Sequence, residues 1–246
     1  MDGGNSELPY GRFKSGQSAY FGKTARNYEQ ERIAEPIWQI EQNFVSTYIS
    51  SIPRGNSILD VPVGTGRFFG FYYQAGLMAH CVDISLDMIT EVRTKFGLTI
   101  PGSSLSVANA MALPFADASV DYVICWRLFH LTPRSVMKRI INELARVTRR
   151  EILLQVFSVA LENTNSITRF MKSAIQSMPS PIGHVRRAVT GTHQQLPWLH
   201  IKAFRHHEQD ILAYFQASNL QVLKSITLDY YNSQPVRVYV LGKRNP

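Results

Sequence analysis

Cysteine is scarce in this sequence. Only Cys81 and Cys125 occur, each inside an apolar strand-like run, too few for a disulfide framework or a cysteine-built zinc site. Two buried thiols in a reducing, cytoplasmic compartment are the expectation. No apolar run reaches membrane-spanning length, and Met1 to Tyr20 is polar with Gly and Ser, unlike a signal peptide or an anchor. Acids are also short, 18 Asp and Glu against 26 Lys and Arg, for a net charge of +8. The glycine pattern lacks something too. Gly64 and Gly66 stand one residue apart, but Phe69 occupies the place of a third glycine and Gly70 comes one position late. The nicotinamide-dinucleotide fingerprint is therefore incomplete.

What is present is globular. Hydrophobic residues make up 45% and charged residues 18% of 246 positions, which excludes global disorder and suffices for one α/β domain. Ile58-Leu59-Asp60-Val61-Pro62-Val63-Gly64-Thr65-Gly66-Arg67-Phe68 reads as strand, tight turn and helix start. Gly64 and Gly66 leave no Cβ between main chain and ligand, and the free N–H groups of the following helix favour a negative group. The next apolar run, Met78 to Val82, ends in Asp83, seventeen residues after Gly66. An acid there can accept from a ribose hydroxyl pair, or it can serve as a helix N-cap with Ser85 nearby.

Further strands are predicted at Leu105–Ala110, Val120–Trp126 and Ile152–Phe157. Val136, Ile140, Ile141, Leu144 and Val147 form the buried face of an intervening helix that starts at Thr132-Pro133. Ahead of the glycine turn, Ile37, Ile40, Phe44, Tyr48 and Ile52 predict another helix with one apolar face. Five strand–helix alternations indicate a doubly wound sheet with ligands beyond its carboxyl ends. Residues 160–206 break the alternation and form a candidate lid, and residues 1–18 a tail; 19–246 is taken as one domain. A helix near His207–Ala217 and two runs, Leu220–Tyr230 and Val236–Leu241, close the chain as an antiparallel pair.

The basic excess is local. Residues 160–207 carry Arg169, Lys172, Arg186, Arg187, Lys202 and Arg205 against Glu162 alone, with five of the seven histidines. Those histidines are spaced nine, seven, six and one residues apart without an acid cluster, which matches no metal-ligand pattern, so no metal is expected. Arg186 and Arg187 suit an anionic substrate, and they suit a solvated surface equally.

Taken together, these motifs resemble the class I S-adenosylmethionine-dependent methyltransferases, nearest the small-molecule branch of the ubiquinone/menaquinone-biosynthesis type. The first motif matches Ile58 to Gly66, and Val82-Asp83-Ile84-Ser85 matches the acidic second-strand motif, with Met88 in its hydrophobic place. Asn109-Ala110 with Leu113-Pro114-Phe115, then Val120-Asp121-Tyr122-Val123, resemble the third and fourth motifs. The likeness runs from about Tyr20 to Phe157 and covers 160–206 poorly. Pro62 replaces the usual first glycine and Asn109 the usual aspartate. The usual Lys-Pro-Gly-Gly turn is absent, with Thr148-Arg149-Arg150-Glu151 standing there, read as a loop far from the chemistry.

The resemblance implies an α/β, Rossmann-like, seven-stranded, mostly parallel sheet with a C-terminal antiparallel hairpin, an N-terminal helical cover and a lid after strand 5. It implies S-adenosyl-L-methionine as cofactor, S-adenosyl-L-homocysteine as product, and a small-molecule or lipid-like acceptor. Gly64 and Gly66 would meet the methionine moiety, Asp60 its ammonium, Asp83 the ribose, and Asn109 and Ala110 the adenine. Pro62, Ile84, Met88, Cys125 and Trp126 would complete the cofactor contacts. Arg32 and Tyr28 would meet the methionine end or stay on a helix surface. Arg127, with Arg186 and Arg187, would face the acceptor. His130 is the candidate base for a hydroxyl nucleophile, or a packed turn residue. An RNA methyltransferase is the runner-up, although no RNA-binding module, Arg-rich tail or Asn-Pro-Pro-Tyr-like motif accompanies Cys125-Trp126-Arg127-Leu128. A non-catalytic cofactor-binding module comes next.

Overall fold

A computed structural model describes residues 29, 32–33, 35–97, 102–159, 204–231 and 234–244. The expected tail, Tyr28, and the lid with Arg186 and Arg187 (all but its last three residues) lie outside the described residues. The chain runs α1 (Pro36–Ser51), β1 (Ser57–Asp60), α2 (Phe69–Ala75), β2 (Met78–Asp83), α3 (Leu86–Phe96), β3 (Ser104–Val107) and β4 (Val120–Cys125). There follow a 3₁₀ turn (Phe129–Leu131), α4 (Arg134–Val147), β5 (Thr148–Val159), β6 (His206–His207), α5 (Glu208–Ala217), β7 (Leu220–Tyr231) and β8 (Gln234–Lys243).

The sheet order is β3-β2-β1-β4-β5-β8-β7. The first five strands pair in parallel, while β8 runs antiparallel to both β5 and β7. The doubly wound sheet and its closing antiparallel pair are therefore as expected. Seven strands form the main path of the sheet as expected, and among the described residues an eighth lies off that path. Two residues, His206 and His207, pair with Ser158 and Val159 at the end of β5, a strand too short to leave a periodic signal.

Alternation along the strands splits the core into two faces. Leu59, Val123 and Leu154 pack with α4 and α5 through Ile140, Leu144, Ile211 and Phe215. Ile58, Ile124 and Leu153 pack on the other side with Val45 and Ile49 of α1, Tyr72 of α2 and Val92 of α3. Connections on β1's one flank thus lie on one face and the β4-to-β5 connection on the other, so the winding reverses between β1 and β4. That reversal opens a crevice at their carboxyl tips.

Two local expectations are corrected. The buried face of α1 is Trp38, Glu41, Val45, Ile49 and Ile52, while Ile40 is 44% exposed; the face is rotated because an acid occupies its centre. Thr148-Arg149-Arg150-Glu151 is no loop, since α4 ends at Val147 and β5 begins at Thr148. Thr148 caps that junction, its hydroxyl donating to the Leu144 carbonyl at 2.5 Å.

Gly66 has a packing role. It has φ of +80°, and a Cβ there would lie 3.0 Å from Phe96 Cε2 and 3.1 Å from Val92 Cγ2, both on α3. Gly64, at φ +55°, has nothing within 4 Å of its Cβ position. Gly66→Ala is expected to cost roughly 2–4 kcal/mol, through left-handed backbone and overpacking together. Gly64→Ala should cost about 1–2 kcal/mol from backbone alone. Urea unfolding of the two variants checks this, and equal losses would contradict the packing assignment.

Candidate active site

The crevice at the β1/β4 tips is lined by three short stretches of chain. Pro62 to Thr65 follows β1, Asp83 to Ser85 follows β2, and Ala108 to Ala110 follows β3. Trp126, Arg127 and Leu128 close it beyond β4, with Trp38 of α1 and Met88 of α3 completing the walls. It holds about 1160 Å³ of non-atom space including its mouth.

The turn after β1 is held in place by strand-end contacts. Val61 N–H donates to the Ile124 carbonyl at 3.0 Å and Val63 N–H to the Val82 carbonyl at 2.9 Å. The Val61–Pro62 peptide is cis. Asp83 ties two of the lining stretches together. Its Oδ2 accepts from Gly64 N–H and its Oδ1 from Ser85 N–H, both at 2.9 Å. Burial raises the Asp83 pKa, with the hydrogen bonds from Ser85, Gly64 and Ile84 opposing the rise. A carboxylate has about four lone-pair sites, so these three hydrogen bonds leave one for a ligand. Ser85, not Asp83, is the helix cap, its hydroxyl accepting from Met88 N–H at 3.3 Å. Asn109 Oδ1 accepts from Met111 N–H at 2.9 Å. The amide therefore shapes its own turn, and its N–H donors are what it can offer to a base edge.

Besides Gly66, four expected site residues stand outside the lining. Asp60 is 2% exposed and outside the lining, its Oδ2 accepting from the Tyr72 hydroxyl at 2.9 Å. Burial pushes its pKa up to about 7, helped by the neighbouring Asp83 carboxylate against the Tyr72 hydrogen bond. Cys125 is fully buried in the core face shared with α4, where desolvation holds the thiol protonated. Arg32 is 6% exposed, 3.8 Å from Glu35 and outside the lining. His130 lies in the 3₁₀ turn against Phe157, ring centroids 5.1 Å apart, and outside the lining. Burial, then the Arg32 and Arg127 guanidinium groups, push its pKa down to about 3. An imidazole that resists protonation this strongly is a poor base at neutral pH.

Arg127 reaches the lining, but its charge is engaged. Its backbone takes φ of +52°, and its N–H donates to Gln155 Oε1 at 3.1 Å. Its Nε donates to Glu41 at 2.9 Å and its Nη2 to Glu35 at 3.0 Å. Glu41, fully buried, also accepts from Arg67 at 2.8 Å and from Gln155 at 2.6 Å. Arg67 lies 3.5 Å over the Trp38 ring and donates to the Trp38 carbonyl. Sequence reading missed this cluster of α1, the β1 turn, the β4 tip and β5. Its one sequence signal is the helical spacing of Trp38, Glu41, Val45 and Ile49, visible only if an acid is allowed on a buried face.

Among the described residues no His/Cys/Asp/Glu group is arranged to hold a metal, and no helix is long and apolar enough to cross a membrane.

Residues 58–151 match the family described as "Methyltransferase domain". Over 132 residues the chain is 29% identical to the tRNA (carboxymethyluridine(34)-5-O)-methyltransferase of Arabidopsis thaliana, covering 51% of this chain and 30% of that protein. Over 101 residues it is 34% identical to the demethylmenaquinone methyltransferase of Renibacterium salmoninarum, covering 41% and 40%. The chain spans less than half the length of the curated relatives it matches. The fold is similar to that of magnesium protoporphyrin IX methyltransferase from Synechocystis PCC 6803, crystallised with bound SAH. The TM-score is 0.61 at 16% identity, covering 92% of this chain and 97% of that one. The β1 glycine turn, the acid-tipped β2 and the point where the winding reverses all lie within residues 58–151, the stretch that matches the methyltransferase domain.

Proposed function

We propose that this protein transfers a methyl group from S-adenosyl-L-methionine to a small-molecule acceptor. The observation that carries the reading is one continuous crevice joining Gly64, Asp83, Asn109 and Trp126 at the switch point of the sheet. Its donor and acceptor groups fit an adenosyl ligand in order. Asp83 offers an open lone pair for a ribose hydroxyl, Ile84 and Met88 offer apolar walls, and Asn109 and Ala110 lie where a base would sit. The open Cβ position of Gly64 admits close approach of an amino-acid moiety. A bound sulfonium supplies a neutral leaving group, so the reaction requires no acid. The residues of this chain therefore act by holding donor and acceptor in line and excluding water, which is where most of the rate can arise. His130 takes no proton in this scheme.

Calorimetric titration tests it. S-adenosylhomocysteine should bind and NAD should give no heat. Asp83→Asn should weaken S-adenosylhomocysteine roughly 10- to 100-fold, the worth of a charge-assisted hydrogen bond. Absence of heat with S-adenosylhomocysteine would overturn the reading.

A second reading is an RNA acceptor. It is favoured by the net charge of +8 and by the likeness to a tRNA methyltransferase. RNA retention that falls steeply and linearly with the logarithm of salt concentration would support it over the small-molecule reading.

A further inference from the structure

Of the three residues after β3 that line the crevice, Ala108, Asn109 and Ala110, only Asn109 has a polar side chain. Asp83 pairs in register with Val107 of β3, and Ala108 N–H donates to the Asp83 carbonyl at 2.9 Å. Asn109 is the next residue, so it stands one strand over from Asp83, about 4.8 Å in the spacing of a sheet. It is half-buried rather than sealed in the core. A ligand whose sugar bonds the Asp83 carboxylate thus has its base within reach of Asn109.

The orientation of the amide is fixed by its own turn. Oδ1 accepts from Met111 N–H at 2.9 Å, and the Asn109 carbonyl accepts from Ala112 N–H at 2.9 Å. A flipped amide would set its NH₂ against the Met111 N–H, donor against donor, so the oxygen faces the turn. With that oxygen committed, the side chain has the two Nδ2 hydrogens left to offer a ligand. Ile84 and Leu128, which also line the crevice, are apolar. The one polar side chain of this stretch is therefore a donor.

An adenine edge offers both signs. The amino group at C6 donates, and its lone pair is delocalised into the ring, so it does not accept. The adjacent ring nitrogen N1 accepts, on the edge away from the sugar. A carboxylate at position 109 would suit the amino group, whereas the amide present would meet it donor to donor. We infer that Asn109 determines base specificity by donating to N1 of the cofactor's adenine, and that the 6-amino group goes unread at this position. This rests on the methyltransferase reading of the crevice. Its consequence is that a cofactor without the amino group is accepted and one without N1 is not.

The full chain is titrated in a calorimeter with S-adenosylhomocysteine and with its 6-deamino, 1-deaza and 3-deaza analogues, altered only in the base. The 6-deamino compound should bind within about twofold of the parent, and the 1-deaza compound about fivefold more weakly, the worth of one ordinary hydrogen bond. The 3-deaza compound, changed on the sugar side of the ring, should match the parent. Asn109→Asp keeps an acceptor for Met111 N–H and turns the group facing the base from donor to acceptor. In that variant the order should invert, the 6-deamino compound binding about fivefold more weakly than the parent and the 1-deaza compound level with it. Three results would each overturn the inference and leave the methyltransferase reading in place. They are a loss of about fivefold or more for the 6-deamino compound in the unsubstituted protein, equal binding of the 1-deaza compound there, or an unchanged ranking in Asn109→Asp. The ranking in the unsubstituted protein decides alone if the variant does not fold. Absence of heat with S-adenosylhomocysteine itself would overturn that reading, and the inference with it.

Discussion

Replacing Glu41 by Gln should lower the melting temperature by roughly 10 °C. The carboxylate is fully buried and accepts from Arg67, Arg127 and Gln155. Removing one partner of a buried ion pair leaves the others charged and uncompensated, at a cost of about 3–5 kcal/mol. In a domain of this size each kcal/mol corresponds to roughly 2–4 °C. The glutamine amide can replace a single acceptor oxygen at most, and its own N–H groups would face two guanidinium groups. A double variant separates charge from shape. Glu41→Gln with Arg127→Met should be less destabilised than the sum of the two single changes, since the second removes a charge stranded by the first. Urea unfolding of the three proteins reads this directly. Strict additivity, or a loss below about 1 kcal/mol for Glu41→Gln, would show the cluster to be a loosely held surface pair.

The same residue explains what sequence reading could and could not reach. The sheet was legible because β1, β2, β4 and β5 are short apolar runs separated by turn residues, and the family motifs mark their carboxyl tips. Gly64, Asp83, Ile84, Met88, Asn109 and Ala110 follow those tips directly, so their places along the crevice follow from chain order. Side-chain direction was less legible. The α1 face was read one position off, because a hydrophobic count rejects Glu41 and the true face includes it. Gly66 looked like a ligand glycine, but its missing Cβ makes room for Val92 and Phe96, contacts that only the folded α3 supplies. Arg127 was expected to face the acceptor, and nothing in the sequence ties it to an acid 86 residues earlier. His130 carries a catalytic residue type, yet it is buried beside Arg32 and Arg127, and that burial and positive charge are tertiary properties.

Asp60 offers the second large effect, and it depends on pH. The carboxyl is 2% exposed with Oδ1 bonded to no described group. Its pKa rises from 3.8 to about 7, first through burial. In the unfolded chain the group ionises near its ordinary value. Between those values the folded state therefore holds a proton that the unfolded state has released. Stability from this group is thus lost as pH rises from about 4 to about 7, and the gap corresponds to about 4 kcal/mol at most. Asp60→Asn removes the ionisation and keeps an oxygen for the Tyr72 hydroxyl. The variant should match the unsubstituted protein near pH 4 and be the more stable by up to about 4 kcal/mol at pH 8. His130 acts in the opposite sense. Its pKa is lowered from 6.5 to about 3, so the folded state loses stability as pH falls below 6.5, in both proteins alike. The difference between the two unfolding curves isolates Asp60 for that reason. A difference that stays constant from pH 4 to pH 8 would mean that Asp60 is ionised in the fold at all those values.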